Sequence, residues 1–268
     1  METIQVFFLA LIQGLTEYLP ISSSAHLILP SQLLGWPDQG LAFDVAVHIG
    51  SLLAVCSYFR KELQVIFSSC WAQLFHGQAN EHSRLGWLLI FATFPVGLAG
   101  LLFGDFIEEH LRSIMVIALT TIVFGLLLGV VDKKGSQQLT MAQMNWRSAM
   151  LIGLSQALAL IPGTSRSGIT ITAALALGYD RQAAARFSFL LAIPVIILSG
   201  AYKGLQLVGE PNTVAWGDIF LGIGLSAVTA FACIHFFLAL VNRIGMMPFV
   251  WYRLILGGYL CTLLVNGS

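Results

Sequence analysis

Six apolar stretches, at about 40–59, 85–104, 114–131, 187–202, 219–241 and 248–265, decide what this chain can fold into. A helix that crosses a bilayer needs about 20 mostly apolar residues. Lipid offers nothing to hydrogen-bond an open strand edge, so each stretch is expected to cross as a helix. The second, third and fourth carry no Asp, Glu, Lys or Arg. The fourth is the shortest, 16 residues with Pro194 inside it, and reaches full length by letting Lys203 snorkel to the headgroups. The composition leaves no water-soluble alternative. Charged residues make up 10% of the chain, against about 25% in a soluble domain, and the mean hydropathy is +0.84. Disorder and a secreted disulfide scaffold are excluded by the same numbers. The 13 basic and 13 acidic residues cancel, leaving no field to gather a nucleic acid. The four cysteines, Cys56, Cys70, Cys233 and Cys261, are scattered without a CxxC pair and read as packing residues. Glu2 stands where a secretory signal would carry its basic region, so no cleaved segment is expected.

Two further apolar regions break that pattern. Residues 149–161 are apolar for about 13 positions before Pro162-Gly163-Thr164-Ser165-Arg166-Ser167-Gly168, and a second short run follows to 178. Neither piece reaches the length of a span. The N-terminal region is alike: residues 3–19, then Pro20-Ile21-Ser22-Ser23-Ser24-Ala25-His26, then a short run to Leu34. Gln13 precedes Pro20 by seven residues and Gln156 precedes Pro162 by six. Each region is followed by a span opening near a phenylalanine, Phe43 or Phe187, and then by two more spans. The expected fold is therefore an all-α integral membrane protein, with six transmembrane helices plus two re-entrant helical hairpins in an inverted-topology repeat. Residues 1–268 form a single membrane domain. Repeat one covers about 1–132, with its hairpin at 3–34, and repeat two about 147–268, with its hairpin at 149–178. Three crossings between the hairpins make them enter from opposite faces, with their tips meeting near the midplane. Alternate loops then collect Arg60, Lys61, Arg84, Lys133, Lys134, Arg147, Arg181, Arg186 and Arg243 on one side, against Arg112 and Lys203 on the other. The basic side is cytoplasmic. Both termini and the mouth of the first hairpin are expected outside.

Ionisable groups at membrane depth are costly and mark function by default. Here they are Glu17, His26, His48, Arg166, His235 and Arg253, and three of them fall in the hairpins. Gln13 and Glu17, four apart, share a helix face. In the second hairpin Gly163 and Gly168 permit close backbone approach, and the helix after them begins with free N–H groups that favour an anion. Ser165, Ser167 and Thr170 add hydroxyls, and Arg166 adds a planar, permanently charged fork suited to phosphate. The first hairpin supplies Ser22, Ser23, Ser24 and His26 at another half-helix start, near the carboxylate of Glu17. Together these make an oxyanion cradle beside acid/base or nucleophilic groups. Plainer readings stand next to these. Glu17 can sit at a helix end among headgroups, the serines can be N-caps, Arg166 can tie the hairpins, and Arg253 can snorkel. His48 and His235 read as polar packing between spans. Several chemistries are absent by pattern: there is no HExxH, no GxxxxGK and no cysteine followed six residues later by arginine. Thr172 stands six after Arg166, where a phosphatidic-acid-phosphatase signature has histidine.

The segments QGLTEYLPISSSAH (13–26) and PGTSRSGIT (162–170) resemble the bacterial undecaprenyl-diphosphate phosphatase family, the bacitracin-resistance membrane phosphatases. That family carries an (E/Q)xxxE motif, then a proline and a serine-rich stretch ending in histidine, and a PGxSRSxxT motif. The likeness covers nearly the whole chain, including FSFLLAIP (187–194) and PFVWYR (248–253). Gln13 stands where many members have glutamate, so no indispensable negative charge is expected at that position. The resemblance implies hydrolysis of undecaprenyl diphosphate to undecaprenyl phosphate and inorganic phosphate in the cell inner membrane. It further implies an outward-facing site and activation by Mg²⁺ or Ca²⁺. Glu17 is the only candidate metal ligand, and one carboxylate is thin for a protein-held cation.

On this reading Glu17, Ser23, His26 and Arg166 carry the catalysis. Arg166, with Ser165 and Ser167, binds the phosphates and stabilises developing charge. Ser23 or His26 acts as nucleophile or general acid/base, with Glu17 orienting or deprotonating it; covalent attack and attack by water both stay open. Gln13, Ser22, Ser24, Gly163, Ser165, Ser167, Thr170 and Arg253 are the expected phosphate-binding residues. The expected partners are a prenyl diphosphate lipid and the bilayer, with the oligomeric state open, a homodimer included. The alternative is a transporter or flippase of a phosphorylated prenyl lipid, because broken helices in an inverted repeat also suit transport. A histidine and carboxylate pair is not needed for simple passage of an anion, and that separates the two.

Overall fold

Apolar length and polar caps explain where the helices run. The computed structural model describes residues 2–207 and 215–266. Met1, residues 208–214 and residues 267–268 lie outside the described residues, so the placement of the extreme termini does too. In chain order the helices are α1 (Thr3–Thr16), α2 (Ser23–Leu34), α3 (Gly40–Tyr58), α4 (Arg60–His76), α5 (Glu81–His110), α6 (Ile114–Lys134), α7 (Trp146–Gln156), α8 (Arg166–Ala176), α9 (Arg181–Leu207), α10 (Trp216–Ile244) and α11 (Met247–Asn266). Six of these, α3, α5, α6, α9, α10 and α11, are long and apolar enough to cross a membrane, and the chain is a multi-pass membrane protein. Asn80, Ser113 and Asn145 cap α5, α6 and α7, each accepting a bond from a backbone N–H three residues on.

Two spans outrun by the most the apolar stretches that announce them. α5 has 30 residues and α9 has 27, because helical hydrogen bonding continues past the lipid edge wherever polar side chains find partners. At the start of α9, Arg181 grips Asp132 of α6 through two bonds of 2.6 and 3.1 Å, and Arg186 grips Glu62 of α4 at 2.6 Å. Pro95 and Pro194 sit inside α5 and α9 without ending them. The charge count treats 60–84 as a loop, but Arg60–His76 is helix α4. Its charged start conceals exposed Phe67, Trp71 and Phe75, which recur every four residues and stack at 6.4 and 4.3 Å.

The helix packing has a two-part pattern. α1 lies against α2, and α7 against α8. α3 packs on α10 and α5 on α9, α1 packs on α10 and α7 on α5, while α6 pairs with α11. Exchanging the first half for the second maps each of these contacts onto its counterpart, a pattern that fits an inverted repeat. The apolar interior gathers where α8 and α9 meet α3, with Ile171, Phe187, Phe189 and Leu190 all at 0% exposure.

Candidate functional site

Each short helix pair is broken at a serine in the left-handed region. Ser22 has φ 75° and ψ 93°, and Ser165 has φ 72° and ψ 116°. A non-glycine residue held in such a conformation costs about 1–3 kcal/mol and is found where surroundings enforce it, often at functional sites. Ser22 lies nine residues after Gln13, and Ser165 nine after Gln156, both glutamines being fully buried. The serines are thus the equivalent points of the two breaks, and the prolines are offset by one. In this register Ser23 matches Arg166, and Glu17 matches Leu160, so the two tips bring different chemistry to one place.

They meet at Glu17. Its Oε1 accepts from Arg166 Nη2 at 2.9 Å, and its Oε2 accepts from Ser23 Oγ at 2.6 Å and Gln13 Nε2 at 3.0 Å. His48 of α3 places Nε2 3.9 Å from the same Oε2. Glu17 is buried, and a buried carboxylate stays charged only with such partners. Arg166 is held from behind. Nη1 donates to Ser188 O at 3.0 Å, and the guanidinium carbon lies 5.7 Å from the centre of the Tyr18 ring, a cation–π distance. Tyr18 is fixed by its own bond to Ser51 O at 2.8 Å. Thr170 Oγ1 meets Ser188 Oγ at 2.7 Å, which fixes the residue whose carbonyl holds the arginine. Ser167 Oγ donates to Leu19 O at 2.7 Å, stitching one tip to the other, and Ser165 Oγ accepts from Gly168 N at 3.1 Å. Among the described residues two of the five Arg166 N–H donors are engaged, leaving three for a ligand.

Arg253 reaches the same tips from α11 and is 0% exposed. It donates to Thr121 O at 3.0 Å, Pro20 O and Thr164 O at 3.1 Å each, Gly163 O at 2.8 Å and Thr120 O at 3.3 Å. With five donors on five carbonyls it ties both tips to α6 and presents none of them to a phosphate; it does not snorkel. Gly163, at φ 89°, admits the loop here, since a side chain would run into the Thr120 hydroxyl and Ile117 carbonyl.

The two histidines trade their expected places. His26 Nδ1 lies 2.7 Å from Ser22 O, and a carbonyl only accepts, so Nδ1 carries the hydrogen. The other nitrogen of the neutral ring accepts from Tyr252 OH at 2.5 Å, with the rings stacked 5.6 Å apart. His26 thus faces α11, and the histidine beside the carboxylate is His48. Ser22 Oγ meets Ser24 Oγ at 3.2 Å and does not cap α2. Tyr18, His48, Ser188 and Tyr252 escape sequence reasoning as site residues, although each left a trace. Tyr18 lies inside the first motif, Ser188 in FSFLLAIP and Tyr252 in PFVWYR, and His48 is ionisable at membrane depth. Among the described residues no three His, Cys, Asp or Glu side chains cluster as a cation site. One carboxylate already bound to an arginine does not fit a protein-held Mg²⁺ or Ca²⁺.

Residues 6–259 match the model of a family described as bacitracin resistance protein BacA. Similar proteins include the undecaprenyl-diphosphatase of Saccharophagus degradans, 59% identical over 263 residues and 98% of each chain. That of Teredinibacter turnerae is 62% identical over 257 residues, 96% of this chain and 97% of the relative. Undecaprenyl-diphosphatase 1 of Pseudoalteromonas translucida is 57% identical over 258 residues, with the same coverage of 96% and 97%.

Proposed function

The chain belongs to the bacitracin resistance protein BacA family, and we propose that it hydrolyses undecaprenyl diphosphate to undecaprenyl phosphate and inorganic phosphate. Such a reaction recycles the lipid carrier for peptidoglycan and other cell-envelope polymers. The observation that carries the reading is a buried carboxylate, Glu17, bonded on one oxygen to Ser23 and on the other to Arg166, 149 residues away. A hydroxyl 2.6 Å from a carboxylate has the geometry of a nucleophile and its base. The terminal phosphate docks on the three remaining donors of Arg166. Ser23 Oγ attacks its phosphorus while Glu17 takes the hydroxyl proton, and the bond to the bridging oxygen breaks to release undecaprenyl phosphate. Water, deprotonated by the same carboxylate, then attacks the phosphorus, and the carboxyl returns its proton to the departing Ser23 Oγ as phosphate leaves. Arg166 offsets the charge on the equatorial oxygens throughout. His26 is less suited to attack, because both of its ring nitrogens are engaged.

The counterpart packing of the two halves supports an inverted repeat with re-entrant tips entering from opposite faces. The count of nine basic residues against two supports a first tip that opens outside, so the lipid is dephosphorylated on the external leaflet. Phosphate release from long-chain prenyl diphosphate by purified protein in detergent micelles, with and without chelator, tests the reaction. No release would leave the transporter reading standing, since a micelle has no two sides to move lipid between. Orientation is tested in a chain cleared of its four cysteines, with exposed Ser24 or Ser136 changed to cysteine. An impermeant maleimide on intact cells should label position 24 and not 136, and the reverse pattern would overturn the orientation.

A further inference from the structure

We infer that His48 is the proton relay of this site, taking from Glu17 the proton that the carboxylate removes from the attacking group and handing it to external water. The inference rests on the proposed hydrolysis with Glu17 as base. His48 Nδ1 lies 2.7 Å from Asp44 O, one helical turn back on α3, so that nitrogen holds the hydrogen. With that tautomer a neutral ring presents the lone pair of Nε2 on the side of Glu17 Oε2, 3.9 Å away. A lone pair facing a carboxylate gains nothing in the resting state. The arrangement becomes favourable when a proton lies between the two, and that is the condition of the site once Glu17 has accepted one.

The oxygen involved is the right one. Arg166 occupies Oε1, whereas Ser23 donates to Oε2, so the transferred proton arrives on the oxygen that His48 faces. Glu17 is poorly placed to return that proton to bulk water, because its side chain is 7% exposed while that of His48 is 32% exposed. The gap of 3.9 Å exceeds a hydrogen bond, but catalytic contacts of this kind tighten when substrate binds, and one water can bridge it. Among the described residues no competing charge is paired with the ring. Asp44 has its carboxylate on Gln39 at 2.9 Å. α10 brings Gly222 against Phe43 and Val47, and Ser226 bonds Val47 O and Ser51 Oγ. α1 leads into Glu17, and beyond that carboxylate stands Arg166, held by Ser188 of α9. The proton count closes. Ser23 loses its hydrogen to Glu17 as the oxygen–phosphorus bond forms. The carboxyl then protonates His48 Nε2, the imidazolium releases a proton outward, and Glu17 is again a carboxylate, ready to deprotonate water in the second step and pass that proton to the departing Ser23 oxygen.

The test is phosphate release by His48→Gln and His48→Ala in detergent, beside Glu17→Gln and the unaltered protein, all matched for melting temperature. General acid–base groups contribute roughly 10²–10⁴-fold; acting through Glu17, His48 should account for about 10-fold to 100-fold. That loss should appear in kcat with KM unchanged within about two-fold, and added imidazole should restore His48→Ala while leaving the unaltered protein unaffected. Full kcat in His48→Gln, or a His48→Ala that imidazole does not stimulate, overturns the relay. An inactive Glu17→Gln beside a fully active His48→Gln rejects the relay alone. Full activity of Glu17→Gln rejects Glu17 as the base on which the relay depends.

Discussion

Ser22 and Ser165 adopt nearly the same backbone, φ 75° and 72°, but the chain around them is used in opposite ways. Ser165 Oγ caps its own helix, and every residue from 162 to 172 is buried except Arg166, whose side chain is 13% exposed. Ser22 Oγ turns to Ser24, and Ser23, Ser24 and His26 are partly or fully exposed. The second tip is an anchor that holds out one guanidinium. The first is an open rim carrying a hydroxyl beside a carboxylate. The same division separates the two arginines of the site, since Arg253 has five carbonyl partners and Arg166 two partners with three donors left over. Two similar backbone breaks supply a common geometry, and the chemistry comes from the places where their side chains stopped matching.

If that division is right, the two arginines fail differently when changed. Arg253→Met leaves the carbonyls of Pro20, Gly163 and Thr164 without their guanidinium donor, while those of Thr120 and Thr121 keep their places in the α6 ladder. At about 1–3 kcal/mol for each unsatisfied buried group, the loss of stability should be about 3 kcal/mol or more, read as a collapse of the melting transition in detergent. An Arg253→Met protein that melts like the original and loses only turnover would move Arg253 into the phosphate-binding set and erase the contrast. Arg166→Lys keeps a cation against Glu17 but loses the planar fork. Its melting temperature should stay close to the original, while kcat for phosphate release falls about 10²–10³-fold, the usual effect of removing one preorganised donor to a developing oxyanion. Near-normal release from this variant would show that the three open donors do not read phosphate.

The division also explains what could be read from residues alone. A charge-free run such as 114–131 has one fate in a cell, and a cluster such as PGTSRSG cannot lie against lipid, so the spans and both breaks were legible. Glu17 and Arg166 were legible as ionisable groups at membrane depth. The register of the breaks was not. Prolines draw the eye, whereas the feature the two tips share is a backbone angle at Ser22 and Ser165 that no residue type announces. His26 stands in the serine cluster that follows Glu17, whereas His48 lies on a different helix and only the packed fold sets α3 beside the carboxylate. Arg253 appeared as a charge seeking water or phosphate, because backbone carbonyls, its actual partners, are invisible in a sequence. Helix α4 hid behind Arg60, Lys61 and Glu62, whose charges mask its aromatic face.

The smallest effect tests the comparison most directly, by changing each serine to glycine. Glycine takes a positive φ without the penalty of about 1–2 kcal/mol that a side chain incurs, while its freer unfolded chain returns about 0.4–1 kcal/mol of that gain. Ser22 has no cap to lose, so Ser22→Gly should stabilise the protein by about 0.5–1 kcal/mol. Ser165→Gly relieves the same strain but leaves the buried Gly168 N–H without its acceptor, at a cost of about 1–3 kcal/mol. It should therefore be neutral or destabilising by about 1 kcal/mol. Opposite signs in two melting curves would confirm that one backbone serves an open rim and a closed anchor. Equal signs would mean that the cap at the second tip does not set it apart. Phosphate release separates a further outcome: Ser22→Gly leaves Ser23, Glu17 and Arg166 in place and should keep turnover within about three-fold, under 1 kcal/mol of barrier. A stable Ser22→Gly protein with much lower turnover would instead make the Ser22 hydroxyl a ligand of the phosphate, and the rim would then bind as well as react.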